Sequence, residues 1–186
     1  MKGGLTPDLP VLLVDDEETV LTSMSRVLKA AGVERLLTCA DSRNVMGILE
    51  RTEIEVVLLD LAMPHVRGDA LLTQIRERFP QIAVIIVTAS DDVDVAVRCM
   101  REGAFDYMVK TVEPSRLTSG VQRAIDMRRL ARQYSTLRQS ILADTVGHPD
   151  AFHTASNMGF INCVGSTSKF SASTSGIRRI SLSMGS

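Results

Sequence analysis

From residue 10 to about residue 143 the chain alternates short, nearly unbroken apolar runs with stretches whose apolar residues recur every three or four positions. Runs of that kind read as strands buried on both faces, and the intervening period reads as amphipathic helix, so the pattern is one of repeated strand-helix units on a parallel sheet. Pro10 to Val14 is the first strand, and it ends in the acidic run Asp15-Asp16-Glu17-Glu18. Val20, Leu21, Met24, Val27, Leu28 and Ala31 then fall at helical spacing until Gly32 stops the helix. Arg35 to Ala40 is a shorter second strand, followed by Asp41 or Ser42 as N-cap of a helix with Val45, Ile48 and Leu49 on its apolar stripe. Glu55 to Leu59 is the third strand, with Asp60 at its end. Met63-Pro64 and Gly68 break the chain before a third helix that buries Leu71, Leu72, Ile75 and Phe79 and stops at Pro80. The β-branched run Ile82 to Val87 leads into Thr88, an acid-rich helix start at Asp91, Asp92 and Asp94, and Gly103. Asp106 to Val109 is a fifth strand ending at Lys110, and Pro114 or Ser115 opens a helix running to about Leu142. Five strands and five helices predict an α/β fold: an open, doubly wound, five-stranded parallel sheet.

With 186 residues, 45% of them hydrophobic, the chain can bury one core of ordinary domain size and leave some tens of residues over. Basic and acidic residues balance at 21 against 22, so no whole-molecule field favours nucleic acid or a membrane surface. Cys39, Cys99 and Cys163 are widely spaced and odd in number, which fits a reducing cytoplasm better than a disulfide framework. Neither a signal peptide nor a run long enough to span a membrane is expected.

In an open α/β sheet, ligands bind beyond the carboxyl ends of the strands. The polar residues there are Asp15, Asp16, Asp60, Thr88 and Lys110. Clustered carboxylates repel unless a cation sits among them, and Mg²⁺ suits an open site because it takes one or two carboxylates, keeps waters and reaches phosphate oxygens. Asp60 is then the nucleophile that forms an acyl phosphate, Asp15 and Asp16 hold the metal, Lys110 pairs with a phosphate oxygen and the Thr88 hydroxyl donates to another. Each residue alone has a plainer reading: Asp-Asp after a strand is usually a helix cap, and a strand-end Asp, Thr or Lys is usually solvated.

The strand-one pair Asp15-Asp16, the segment Asp60-Leu-Ala-Met-Pro64, Thr88-Ala89, Gly103-Ala104 and Tyr107 three residues before Lys110 together resemble the CheY-like receiver domains of bacterial two-component response regulators. The resemblance covers about residues 9 to 130. It implies phosphorylation of Asp60 by a sensor histidine kinase with Mg²⁺. It also implies the backbone carbonyl of Ala62 as a further metal ligand beside Asp15, Asp16 and Asp60, direct ligation mainly by Asp16, and Tyr107 as an aromatic rotor that follows Thr88. The chain departs from the family at Thr111, where proline usually follows the lysine, so the cis peptide expected there is in doubt.

The expected organisation is an N-terminal extension over 1–8, a receiver domain over 9–126, a helical extension over 127–143 and a Ser/Gly-rich, low-order tail over 144–186. Met127, Leu130, Tyr134, Leu137 and Ile141 give the extension a heptad seam, which supports a phosphorylation-dependent homodimer. Arg123, Arg128, Arg129, Arg132 and Arg138 lie on the same helix with Asp126 as the sole acid between residues 120 and 143. That run reads as a solvated face, and nucleic acid is not expected for this chain alone. His148 to Phe152 resembles the linker before the ATPase module of some enhancer-binding activators, but no Gly-rich phosphate loop follows. The tail from 165 to 186 holds eight Ser, two Thr and three Gly among twenty-two residues, too little apolar mass for a core. Two other readings compete with a signalling switch. One is an Mg²⁺-dependent phosphatase or hydrolase using Asp60, with His65 the lone acid candidate in its loop. The other is an interaction module that is not phosphorylated.

Overall fold

The structure, a computed structural model, describes residues 7–146, with side chains to residue 141. Five strands, β1 (Val11–Val14), β2 (Leu36–Cys39), β3 (Val56–Leu59), β4 (Ala83–Thr88) and β5 (Asp106–Val109), form one sheet in the order β2-β1-β3-β4-β5. Every pairing is parallel. Five α-helices complete the units: α1 (Glu18–Ala30), α2 (Val45–Arg51), α3 (Gly68–Arg78), α4 (Val93–Arg101) and α5 (Pro114–Val146). A single 3₁₀ turn, Ser42–Asn44, precedes α2. The tail from residue 147 on, including the segment His148 to Phe152 and Cys163, lies outside the described residues, as do residues 1–6.

The alternation of side chains along each strand sorts the apolar residues into two layers. Val11, Leu13, Val56, Leu58, Ile85 and Val87 pack with Leu21, Met24 and Leu28 of α1 and with Leu117, Val121 and Ile125 of α5. Leu12, Val14, Val57, Leu59, Val84 and Ile86 pack on the other face with Val45 and Leu49 of α2, Leu71, Leu72 and Ile75 of α3, and Cys99 of α4. Both faces are therefore covered, which is why β1 and β3 are apolar at every position and β4 at every position before its last, Thr88. The edge strands β2 and β5 are the exceptions, with Leu37, Thr38 and Val109 exposed. Positive φ at Gly32 (102°) and Gly103 (96°) turns the chain after α1 and α4, a conformation that costs glycine little.

Helix α5 extends well past the sheet, and a buried ion pair ties its extension to the domain. Glu55, fully buried just before β3, accepts from Arg132 Nη1 at 2.8 Å and from the Leu9 amide at 3.2 Å. The second arm of Arg132 reaches Asp8 Oδ2 at 2.9 Å. Removing Arg132 leaves a carboxylate in the interior without its cation, a loss that outweighs that of a surface pair. Arg132→Met is expected to lower unfolding free energy by about 2 kcal/mol in urea titrations, because Arg132 is itself partly solvated. The exposed Arg138→Met should change it by less than about 0.5 kcal/mol.

Candidate functional site

The C-terminal ends of β1, β3, β4 and β5 open on one crevice. Parallel pairing of β1 with β3 sets Val14 beside Leu59, so the residues that follow each strand, Asp15 and Asp60, emerge side by side. Both are buried, whereas Asp16, one residue further on, is exposed. One carboxylate oxygen from each of Asp15, Asp16 and Asp60 lies within 4.8 Å of the other two. Such a set of oxygens alone is suited to a hard divalent cation.

Lys110 is the counter-charge. Its backbone amide donates to the Thr88 carbonyl at 2.7 Å, continuing the β4-β5 ladder by one residue. From there its Nζ lies 2.9 Å from Asp15 Oδ2, 3.0 Å from Asp60 Oδ2 and 3.1 Å from Glu17 Oε1. Burial disfavours the ammonium, but these three carboxylates outweigh it and hold the Lys110 pKa above its ordinary value. Burial pushes the Asp15 carboxyl up, against the lowering effect of Lys110 and of the Glu17 amide, which donates to Asp15 Oδ1 at 3.0 Å. The contact of Asp15 Oδ2 with Lys110 is an ion pair without hydrogen-bond geometry, so that oxygen is buried and lacks a hydrogen-bond donor. Four acids against one ammonium leave the crevice negative, a charge that suits a divalent cation.

Asp60 Oδ1 accepts from the Ala62 amide at 3.2 Å, which fixes the carboxylate relative to the loop after β3. Thr88 ends β4, the strand next to β3, and its hydroxyl is buried without a hydrogen-bond partner. Tyr107, half-buried, donates its hydroxyl to the Ser90 carbonyl at 2.8 Å. No peptide among the described residues is cis, and Thr111 turns the chain through φ 58° instead. That region is unusual for a β-branched residue, but a non-proline cis bond costs about 2.5–4 kcal/mol.

The structure thus brings Asp15, Asp16, Asp60 and Lys110 into one cluster, and places Thr88 at the end of the neighbouring strand. Sequence reasoning missed Glu17 as a partner of Lys110, although it lies in the acidic run already singled out. Gly68 was read only as a loop breaker. A Cβ there would lie 2.6 Å from Leu61 Cα and closer still to the Asp60 carbonyl oxygen, so the start of α3 rests directly on the backbone that follows β3.

A family model for the response regulator receiver domain matches residues 11–122, more than half of the chain. The chain belongs to the response regulator receiver domain family. It is 39% identical over 118 residues to the DNA-binding transcriptional regulator NtrC of Salmonella typhimurium, a stretch covering 62% of this chain and 24% of that relative. The chain therefore spans about a quarter of the length of that protein. Among solved structures it resembles a response regulator receiver domain protein from Clostridium thermocellum, with TM-score 0.61 and 34% identity over 66% of this chain and 98% of that one. It also resembles the beryllofluoride-activated NtrC4 receiver domain, solved as a dimer in solution, with TM-score 0.61 and 28% identity over 69% of this chain and 99% of that one. The receiver is a signalling switch of two-component systems, and this membership sets the hydrolase alternative aside. His65, the acid which that alternative needed, is exposed.

Gly68→Ala should push the backbone at Asp60 and Leu61 out of place. The expected result is a loss of about 1–3 kcal/mol in urea unfolding and a shift of the Ala62 amide resonance, with signals from the α5 extension unchanged.

Proposed function

We propose that Asp60 is the phosphoacceptor, labelled by a sensor histidine kinase in the cytoplasm with Mg²⁺ held by Asp15, Asp16, Asp60 and the Ala62 carbonyl. The observation that carries this reading is the gathering of three carboxylates within 4.8 Å around a buried strand-end aspartate. When bound, Mg²⁺ offsets the repulsion between the incoming phosphoryl group and these acids. The Asp60 oxygen forms the new P–O bond as the P–N bond of the donor phosphohistidine breaks. Lys110, already 3.0 Å from Asp60 Oδ2, stays with the group as its charge moves onto phosphoryl oxygens. Thr88 supplies a hydroxyl that no protein group occupies, so its hydrogen bond to phosphate displaces nothing. As Thr88 moves toward the phosphate it vacates space into which Tyr107 turns, and the face of α4, β5 and α5 is remodelled. By analogy with NtrC, the altered face controls a transcriptional output of the enhancer-binding type.

Phosphorylation with a small phosphodonor should add one phosphoryl mass, and Asp60→Asn should abolish it. Equal labelling of that variant would reassign the acceptor. Asp16→Asn should weaken Mg²⁺ binding in calorimetry by at least about tenfold, the loss that even an outer-shell partner causes.

We further propose that the activated state is a homodimer. Val93, Val97, Met100 and Val109 are exposed on α4 and β5, and Met127, Leu130, Tyr134, Leu137 and Ile141 leave the α5 seam 58–69% exposed. The NtrC4 receiver dimer supports the reading. Beryllofluoride should increase the sedimentation coefficient of the parent. Leu137→Glu should weaken association about tenfold in both states while leaving Asp60 labelling and the Arg132 anchor intact.

A further inference from the structure

Ser42 was read as one of two alternative helix caps, but Asp41 does the capping, accepting from the Arg43 amide at 3.0 Å. The Arg43 side chain closes on the same carboxylate at 2.8 Å, which holds Asp41 at a pKa of about 2 and leaves the Ser42 hydroxyl free of the helix start. Ser42 is 2% exposed, and its hydroxyl crosses to a different element. It donates to the Pro64 carbonyl at 2.7 Å and accepts from the Val66 amide at 3.1 Å. Those two backbone groups also pair with each other, Val66 N to Pro64 O at 2.9 Å, around His65 at φ 70°.

A three-residue turn with a positive central φ is the rare, strained form, and at a histidine it persists only where its surroundings over-determine it. The Ser42 hydroxyl is that surrounding: one side chain satisfies both ends of the turn. The turn in turn sets the path of the loop, which starts at Asp60, presents Ala62 and closes where the Gly68 amide donates to the Leu61 carbonyl at 3.1 Å.

We infer that Ser42 is a positioning residue for the phosphorylation site, holding the strained turn at His65 so that the loop carries Ala62 and the Asp60 carboxylate in the geometry that takes the divalent cation. This rests on the proposed Mg²⁺ site but adds a residue that is neither a ligand nor in contact with phosphate. Without the hydroxyl, His65 relaxes to an ordinary backbone conformation and the loop samples several paths. The cation must then select one of them, which reduces affinity by the fraction of competent loop.

The test compares the full chain with Ser42→Ala and Ser42→Thr. Calorimetric titration with MgCl₂ should give a dissociation constant on the order of fivefold to tenfold weaker for Ser42→Ala, the scale set by a lost buried hydrogen bond. Labelling by acetyl phosphate should need correspondingly more Mg²⁺ for half-maximal rate but reach the parental rate at saturation. Ser42→Thr, which keeps the hydroxyl, should restore affinity. In metal-free protein, the Ala62 and Val66 amide resonances should shift or broaden in Ser42→Ala while those of α5 stay in place, which excludes general loosening as the cause. If Ser42→Ala matches the parent in Mg²⁺ affinity and in those two resonances, the inference is wrong; unchanged affinity with altered resonances also overturns it, because the loop then moves without consequence for the cation. Should the parent bind no Mg²⁺ at all, the proposed metal site fails instead, and the resonances of Ser42→Ala still report whether the hydroxyl holds the turn. If Ser42→Thr does not fold, the Ser42→Ala titration and resonances decide.

Discussion

Asp15 and Asp60 are two carboxylates removed from water side by side, and the chain supplies one flexible ammonium to hold them there. Burying a lone charge is expensive, and burying two of like sign more so, unless a cation joins them. Lys110 meets that need from β5, reaching past β4 to β3 and β1 on its four-carbon stem. The sheet order is what makes the reach work: with β1 and β3 adjacent, both acids face the same ammonium. Yet a single ammonium does not neutralise the acids around it. On the proposed function, that residual negative charge is what favours a cation, and the Thr88 hydroxyl, buried without a partner, is the donor left for a phosphoryl group.

Strand β3 carries this logic at both ends. Only four residues, Val56 to Leu59, separate Glu55 from Asp60, and both acids are buried. At one end the charge is closed off: Arg132 and the Leu9 amide occupy Glu55, so that end ties segments remote in sequence to the sheet. At the other end Asp60 is held by Lys110 and the Ala62 amide in contacts that can be exchanged. Two buried carboxylates thus take different parts, a fixed anchor at the foot of the sheet and, on the proposed function, a reactive group at its top, and the difference lies in the partners that surround them.

Most of the architecture was legible because both-face burial makes β1, β3 and β4 apolar up to the strand-end Thr88, the pattern of strands in a parallel sheet covered by amphipathic helices. The residues at the strand ends were legible for the same reason, since once a strand is placed its next residue must lie at the top of the sheet. Contacts set by distant segments were not. Arg132 lies 77 residues from Glu55, and in sequence it belonged to a run of arginines with the look of a solvated face. Ser42 finds its partners 22 and 24 residues away, across a loop whose left-handed turn at His65 has no glycine to announce it. The pattern of strands buried on both faces also gave no sign that β2 is an edge strand, which leaves Leu37 exposed.

Helix α5 joins these two scales. Its first turns bury Leu117, Val121 and Ile125 against the sheet, and Arg132 continues that buried side to Glu55. At about 100° per residue, the apolar seam from Met127 to Ile141 falls on the opposite side of the same helix. The helix is continuous, with no proline after Pro114 to bend it, so the seam keeps a fixed angular relation to the sheet. The span from Leu117 to Ile141 is about 36 Å at 1.5 Å per residue, long enough to project the seam clear of the domain. A second chain that packs on the seam therefore meets a surface whose orientation is set by β3 through Arg132. Any rearrangement of β5 and the start of α5 that accompanies phosphorylation must either carry the whole helix with it or break the contact at Glu55. On the proposed phosphorylation of Asp60, the ion pair at the foot of the sheet therefore decides between these outcomes, because a helix anchored at both its first turns and its middle has little freedom to absorb the change by bending.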